Sequence, residues 1–375
     1  MRLLRIAFQA AFLAAVVGLL WYLQGNLRTN LAGSGLSTGW EYLQRPTGVD
    51  IRDSPFRPSQ PIRDALVVGL INTVRVSAVG IALATALGTV VGVARLSASW
   101  LVRKAAALYV ESLRNVPVLV VIIFMYTAVM LRLPPIGDAA EWLGLVVLSN
   151  RGLVVPWATA GPGVRGFLGV VGVGLALAAL VARWRTRRSD ETGEPHHRVL
   201  WGGGVLLTVV TAGYLALGAP VGLLLPSREG RTVTGGIELG PEYAALLLGL
   251  VLYTASHIAE IVRGSILAVP KGQTEAADAL ALSSFQRLRY VILPQALRIM
   301  VPPLANQYLN LTKNSSLAVA VGYFELTRIT GQVIANANPA PQSIAILMLG
   351  YLALSLLISA VANVVNRSLS LERRS

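Results

Sequence analysis

The apolar runs leave this chain little choice of fold. Eight segments, at roughly 6–23, 65–94, 105–131, 164–182, 199–219, 242–269, 297–322 and 343–366, are mostly apolar over about 18 residues or more, the length at which a helix crosses a bilayer. Charged residues make up 13% of the chain, against about 25% in soluble domains, and mean hydropathy is +0.62. Inside lipid the backbone must satisfy its own hydrogen bonds, which helices do segment by segment. The expected fold is an all-α polytopic membrane protein with about eight transmembrane helices.

Missing residue types bound the chemistry. Cysteine is absent, so there is no disulfide framework, thiolate nucleophile or cysteine metal site. The adjacent histidines His196 and His197 are too few for a metal centre, and no H-E-x-x-H run occurs. No G-x-x-x-x-G-K-S/T phosphate loop is present either, so the chain is not expected to hydrolyse a nucleotide itself. No Ser/His/Asp set or carboxylate pair sits at a suitable depth. The reading expects no enzyme and no cofactor. Net charge is +14 and the pI about 10.7. In a polytopic chain that charge sets orientation. Nucleic acid is not an expected partner, because no basic stretch is interleaved with base-stacking aromatics.

With the N-terminus inside, the inner loops collect Arg95, Arg103 and Lys104, then Arg183, Arg185, Arg187 and Arg188, then Lys271, Arg287, Arg289 and Arg298. The outer segments are close to balanced. This is the positive-inside pattern, and it puts both termini in the cytoplasm. The opening "MRLLR" resembles a secretory signal, but "GLLWYLQGN" lacks a small-x-small cleavage site. Trp21 and Tyr22 read as interfacial anchors. Residues 1–64 are therefore taken as an anchor helix with an outer segment, and 65–368 as the transmembrane domain. The arginines of the loop at 183–198 are read as contacts to acidic lipid headgroups rather than a dedicated site.

One segment between two spans is polar: "EAADALALSSFQRLRYVILPQALR", Glu275 to Arg298. Pro270 and Gly272 stop the preceding helix. Thr274 is expected to cap a new one, with Glu275 in its first turn. Ala276, Ala277, Leu280 and Ala281 fall on one face. Ser283 or Ser284 can cap a second short helix through Phe285, and Leu293-Pro294 interrupts the pattern before the next span. Two short helices at an angle fit a groove in a partner, with Leu280 or Phe285 as anchors. They also fit an amphipathic loop resting on headgroups.

Charges within spans cost roughly 2.5–3.5 kcal/mol each near the bilayer centre. Glu111 and Arg114 are three apart, as are Glu260 and Arg263, so each pair can close on one helix face. Either pair can fix helix register or form an inner gate. Lys313 lies deeper, and Asn306, Asn310 and Asn314 recur every four residues beside it. Such a stripe lines a polar path or hydrogen-bonds neighbouring helices; the expectation is a translocation route. Arg75 receives no assignment. Gly88 and Gly92 form a small-xxx-small pair.

The residues also carry a resemblance. Glu275-Ala276-Ala277, a small residue four further on, and Val-x-Leu-Pro ending at Pro294 resemble the EAA loop of ABC-importer permeases. Ala281 stands where that family has Gly, which suggests a bend slightly later, at Ser283-Ser284. "VGLINTVRVS" (68–77), "YVESLRNVPVL" (109–119), "LYTASHIAEIVRGSILAVPKGQTEAA" (252–277) and "PQALRIMVPPLANQYLNLTKNSSLAVAVGY" (294–323) are similar to the polar amino acid branch, most like a general L-amino acid permease. Similarity is weaker over 133–240. The resemblance implies a five-helix type I core, with an added N-terminal helix and an inserted helix pair at about 164–219. It implies a cytoplasmic coupling loop at 270–296 and a place in the bacterial inner membrane. Implied partners are separate ATP-binding subunits, a second homologous permease chain in a heterodimer, a periplasmic solute-binding protein and an L-amino acid substrate. The rival reading is an ion-coupled secondary amino acid transporter with Glu111 or Glu260 as proton carriers. The inverted repeats common in such folds are not visible in the hydropathy.

Overall fold

Each of the long apolar runs forms helix in the computed structural model, which describes residues 2–33, 39–52, 54–192, 197–230, 232–336 and 338–371. In chain order the helices are α1 (Arg2–Gly33), α2 (Ile62–Ala94), α3 (Trp100–Arg114), α4 (Val118–Phe124), α5 (Val164–Thr192), α6 (Arg198–Ala216), α7 (Pro241–Leu267), α8 (Lys271–Ala279), α9 (Ser284–Arg287), α10 (Leu293–Asn314), α11 (Leu326–Ala335) and α12 (Ala340–Leu371). His196 lies outside the described residues.

Six of these helices are long and apolar enough to cross a membrane, and the bent pair Trp100–Arg114 with Val118–Arg132 makes a seventh. That pair replaces the single straight span expected at 105–131. It bends by 104°, because Pro117 has no N–H to extend α3 and holds an extended backbone before α4. The remaining segment of the sequence reading, expected at 297–322, is α10, which runs 22 residues with Pro302 and Pro303 inside it. Its asparagines, glutamines and Lys313 lower its apolarity below that of the other spans.

The chain forms two compact units, Met1–Leu131 with Pro241–Ser375, and Arg132–Gly240. In the first, α7 is the central element: 67% of its apolar window is buried, against 33% for α2 and 0% for α12. Glycines allow α2 to press onto α7. A methyl at Gly88 would lie 2.6 Å from Ile258 Cβ and 2.9 Å from the Ala255 carbonyl oxygen, and one at Gly92 would lie 2.7 Å from the Ala259 carbonyl oxygen. Part of the segment before α2, expected as a separate outer stretch, belongs to this core. Tyr42, Val49, Ile51 and Phe56 pack with Ile62, Leu66, Leu326 and Ile329. The start of α11 is tied to α2, where Thr73 Oγ1 accepts from the Leu326 amide at 3.1 Å and Asn72 Nδ2 donates to the Phe324 carbonyl at 2.8 Å.

The second unit is wider than the helix pair expected at 164–219. The α5–α6 hairpin is flanked by short antiparallel strands: a four-stranded sheet of 140–142, 146–149, 152–155 and 237–239, and two two-stranded ribbons. The first hairpin turns through Leu143 and Gly144, both at positive φ (56° and 65°), with the Leu145 amide donating to the Trp142 carbonyl. Two positive φ values in succession match the right-handed twist of the strands. The molecule is mostly helical, with these hairpins added.

Candidate functional site

The polar segment is an elbow stapled at three points. Helix α8 begins at Lys271, directly after Pro270, so Thr274 and Glu275 lie inside the helix and Thr274 is not its cap. Proline there costs no hydrogen bond, since the first turn has no carbonyl to serve. The helix ends in a Schellman turn: the Leu282 amide donates to the Ala277 carbonyl at 3.1 Å and the Ala281 amide to Asp278 at 2.9 Å. Ala281 itself takes the left-handed conformation, φ 53°. The bend therefore falls at the position where the resembling family has glycine, and not at Ser283-Ser284. Ser283 then caps α9 in a capping box with Gln286. The Arg287 guanidinium pairs with the Asp278 carboxylate, and Gln295 Nε2 donates to Gln273 Oε1 at 3.1 Å. A π-helical turn over Leu288–Ile292 carries α9 straight into α10, so Pro294, two residues into α10, does not make the interruption expected there; the wider turn before it accommodates the missing N–H. A left-handed alanine costs roughly 1–2 kcal/mol relative to a right-handed conformation, a penalty glycine escapes. Ala281→Gly is expected to stabilise the elbow by about 1 kcal/mol, read as about fivefold slower exchange of the Ala281 and Leu282 amides. Unchanged exchange would count against the strain.

The elbow's faces differ from the sequence expectation. Ala277 is 2% exposed, whereas Leu280 is 75%, Phe285 68%, Tyr290 65% and Leu293 40% exposed. Ala276 and Glu275 are exposed as well. Ala277 thus supports the fold of the elbow, and the large side chains point outward.

A second cluster centres on Glu260 of α7. Arg95, which caps the C-terminus of α2, pairs with Glu260 Oε2. Arg263 Nη1 donates to Oε1 at 2.9 Å, and Arg114 reaches Oε2 at 4.0 Å. One carboxylate serves three guanidiniums from three helices. Among the described residues Glu111 forms no ion pair with Arg114; it is exposed, and its carbonyl accepts from Asn115. An exposed i,i+3 pair is worth only about 0.2–0.5 kcal/mol, which the half-buried Glu260 outcompetes. Sequence reasoning counted Arg95 only as a loop charge. Arg75, unassigned above, lies 5.0 Å over the Tyr243 ring.

On α10, Asn306, Asn310 and Lys313 are exposed and Asn314 is half-buried, while Leu311 and Thr312 are buried. Tyr308 turns the other way and accepts from Thr85 on α2 at 3.0 Å. The polar stripe therefore faces away from the subunit's own core.

A cavity of about 280 Å³ in the first unit is lined by Arg52, Tyr126, Glu242, Tyr323, Phe324 and Arg328. Arg52 approaches Glu242 to 3.7 Å, and the Arg328 guanidinium lies 5.1 Å over Phe324. Next to it, fully buried Glu325 caps α11 by accepting from the Thr327 and Arg328 amides, both at 2.9 Å. It also accepts from the Tyr351 hydroxyl at 2.8 Å. Burial pushes its carboxyl above the usual range, and these donors pull it back. The cavity joins chain positions nearly 300 apart, so no local motif announced it.

Six membrane-length helices, one of them the buried centre of its unit, define a polytopic membrane protein. The chain belongs to the family of binding-protein-dependent transport system inner membrane components, whose model matches residues 84–371. It is 38% identical to the general L-amino acid transport system permease protein AapQ of Rhizobium johnstonii, over 98% of this chain and 93% of that one. It is also 38% identical to the putative amino-acid ABC transporter permease protein YhdX of Escherichia coli, over 98% and 94%. To the glutamate/glutamine/aspartate/asparagine transport system permease protein BztB of Rhodobacter capsulatus it is 36% identical, over 96% and 92%.

Proposed function

We infer that this chain is the permease subunit of an ATP-driven, binding-protein-dependent importer of L-amino acids in a bacterial inner membrane, with both termini cytoplasmic. It does no bond-breaking chemistry. Its partners are separate ATP-binding subunits, a second homologous permease chain, giving a heterodimer, and a periplasmic solute-binding protein. The elbow at 271–294 supports this reading above all. Leu280 and Phe285 are exposed on either side of the Ala281 bend, between α8 and the helix that begins with α9, and internal bonds brace the two arms; such an apolar-tipped projection fits a cleft in a neighbouring subunit. Glu275 and Ala276 supply its outward rim. ATP-driven closure of the two engines brings the elbows together and rotates the attached helices as rigid bodies.

The outward stripe of Asn306, Asn310, Lys313 and Asn314 supports a translocation route shared with the second permease. The cavity's two guanidiniums and one carboxylate complement the carboxylate and ammonium of an amino acid, and the substrate classes in the names of the relatives agree with this. Glu111 and Glu260 are not assigned as proton carriers, since Glu260 is neutralised by arginines on every side.

The test is purification of the tagged chain from its own host in mild detergent. Wild type is expected to bring down an ATPase. Leu280→Asp with Phe285→Asp should lose it at least tenfold while the permease stays monodisperse, because both side chains are exposed and neither supports the elbow's fold. ATPase retained by the double variant would remove the elbow as its docking point, whereas no ATPase with the wild type, or uptake on an ion gradient without nucleotide, would favour the secondary transporter.

A further inference from the structure

We propose that the loop end of the α5–α6 hairpin carries a binding site for the phosphate of an anionic phospholipid, built on Arg185. The Arg185 guanidinium lies 4.3 Å over the Trp201 ring of α6 and 5.1 Å over the Trp184 ring of α5. Arg188 lies 5.1 Å over Trp184 as well. Arg185 Nε is buried without a hydrogen-bond partner, and among the described residues no carboxylate pairs with Arg185 or Arg188. Glu191, one turn further along α5, is exposed and joins none of these pairs.

This is more than a basic loop attracted to a charged surface. A flexible arginine loses rotamer freedom on binding, whereas Arg185 is already held between two indoles. The planar fork matches phosphate oxygens in pairs, and among the described residues no carboxylate competes for it. Indoles favour the headgroup depth of a bilayer. Both are about half exposed, and Leu180, Val199 and Leu200 beside them are 60%, 78% and 72% exposed. Only 6% of the apolar window of either helix is buried within the chain, which leaves these flanks open to acyl chains. A ligand with one anionic head and apolar tails satisfies both halves of the site; a free phosphate satisfies one. Arg183 and Arg187, both exposed, add a positive rim.

The experiment is native mass spectrometry of the full transporter complex exchanged into phosphatidylcholine nanodiscs with or without phosphatidylglycerol. Wild type is expected to retain phosphatidylglycerol in preference to phosphatidylcholine. Arg185→Gln should lower that retention about fivefold, the worth of roughly one charge at an anionic surface. Trp201→Leu, which keeps apolar bulk, should also lower it without changing assembly on size exclusion. Arg185→Lys keeps the charge but not the fork, and is expected to fall between the two. Equal retention in wild type, Arg185→Gln and Trp201→Leu would overturn the proposal. So would displacement of the lipid by inorganic phosphate, or an acidic protein cross-linked at this position in place of lipid. Should Arg185→Gln fail to assemble, Arg185→Lys and Trp201→Leu decide the matter.

Discussion

Alanine at Glu260 is expected to destabilise the permease by about 2–3 kcal/mol. Removing one partner of a fully buried ion pair costs roughly 3–5 kcal/mol, and the lower figure applies because the Glu260 side chain is 30% exposed. The loss is large for one carboxylate because three guanidiniums share it. Arg95, 12% exposed and with its Nε already lacking a partner, is then stranded at the end of α2. Thermal melting of the purified chain checks the size of the effect. The double variant Glu260→Ala with Arg95→Ala should recover about 1–2 kcal/mol, since contacting charges couple by amounts of that order. Because the cluster ties α2, α3 and α7 together near the elbow that follows α7, ATP consumed per solute imported in liposomes should also rise. A variant with wild-type melting and wild-type stoichiometry would show that the cluster does neither job.

Leucine at Gly92 is expected to abolish the folded chain. The atom nearest an added methyl is the Ala259 carbonyl oxygen at 2.7 Å, followed by Val262 Cβ at 2.8 Å. Neither is the free end of a flexible side chain, so the last turn of α2 would have to lift from α7. Forcing extra methylenes into a packed core typically costs 1–3 kcal/mol, and leucine adds a whole branched side chain against the most buried helix. Gly92→Ala should fall between, with reduced yield of monodisperse protein and a lowered melting point. Gly88, whose added methyl would meet Ile258 Cβ at 2.6 Å, should behave alike. A leucine variant that elutes and melts like wild type would show that the two helices do not approach this closely.

Hydropathy made the helices legible, because a span must hide its backbone from lipid whatever its neighbours do. The capping box at Ser283 was legible for a similar reason: it is a local bargain between residues three apart. The Gly88 and Gly92 spacing hinted at close packing without saying against which helix. Other features depended on distance. Arg114 chose Glu260 over Glu111 through tertiary geometry that no spacing encodes. The break at Pro117 was hidden because the apolar residues on both sides of it, 105–110 and 118–131, add up to the length of one span. The strands of 140–160 and 221–239 were missed because they are three or four residues long, and the first hairpin turns on Leu143-Gly144 rather than Asn-Gly or Asp-Gly. In the elbow, the position of the bend was misjudged because alanine seldom adopts positive φ; the Schellman bonds hold it there against its own preference.

The outward stripe of α10 has a consequence for how such a subunit is kept in a cell. If a second permease covers this stripe, as proposed above, a copy that inserts alone presents Asn306, Asn310 and Lys313 to lipid, and a lysine near the bilayer centre carries a penalty of roughly 2.5–3.5 kcal/mol. Under the heterodimer proposed above, a surplus chain is then less stable in the bilayer than an assembled one, and its shorter lifetime in cells lacking the second permease would check this.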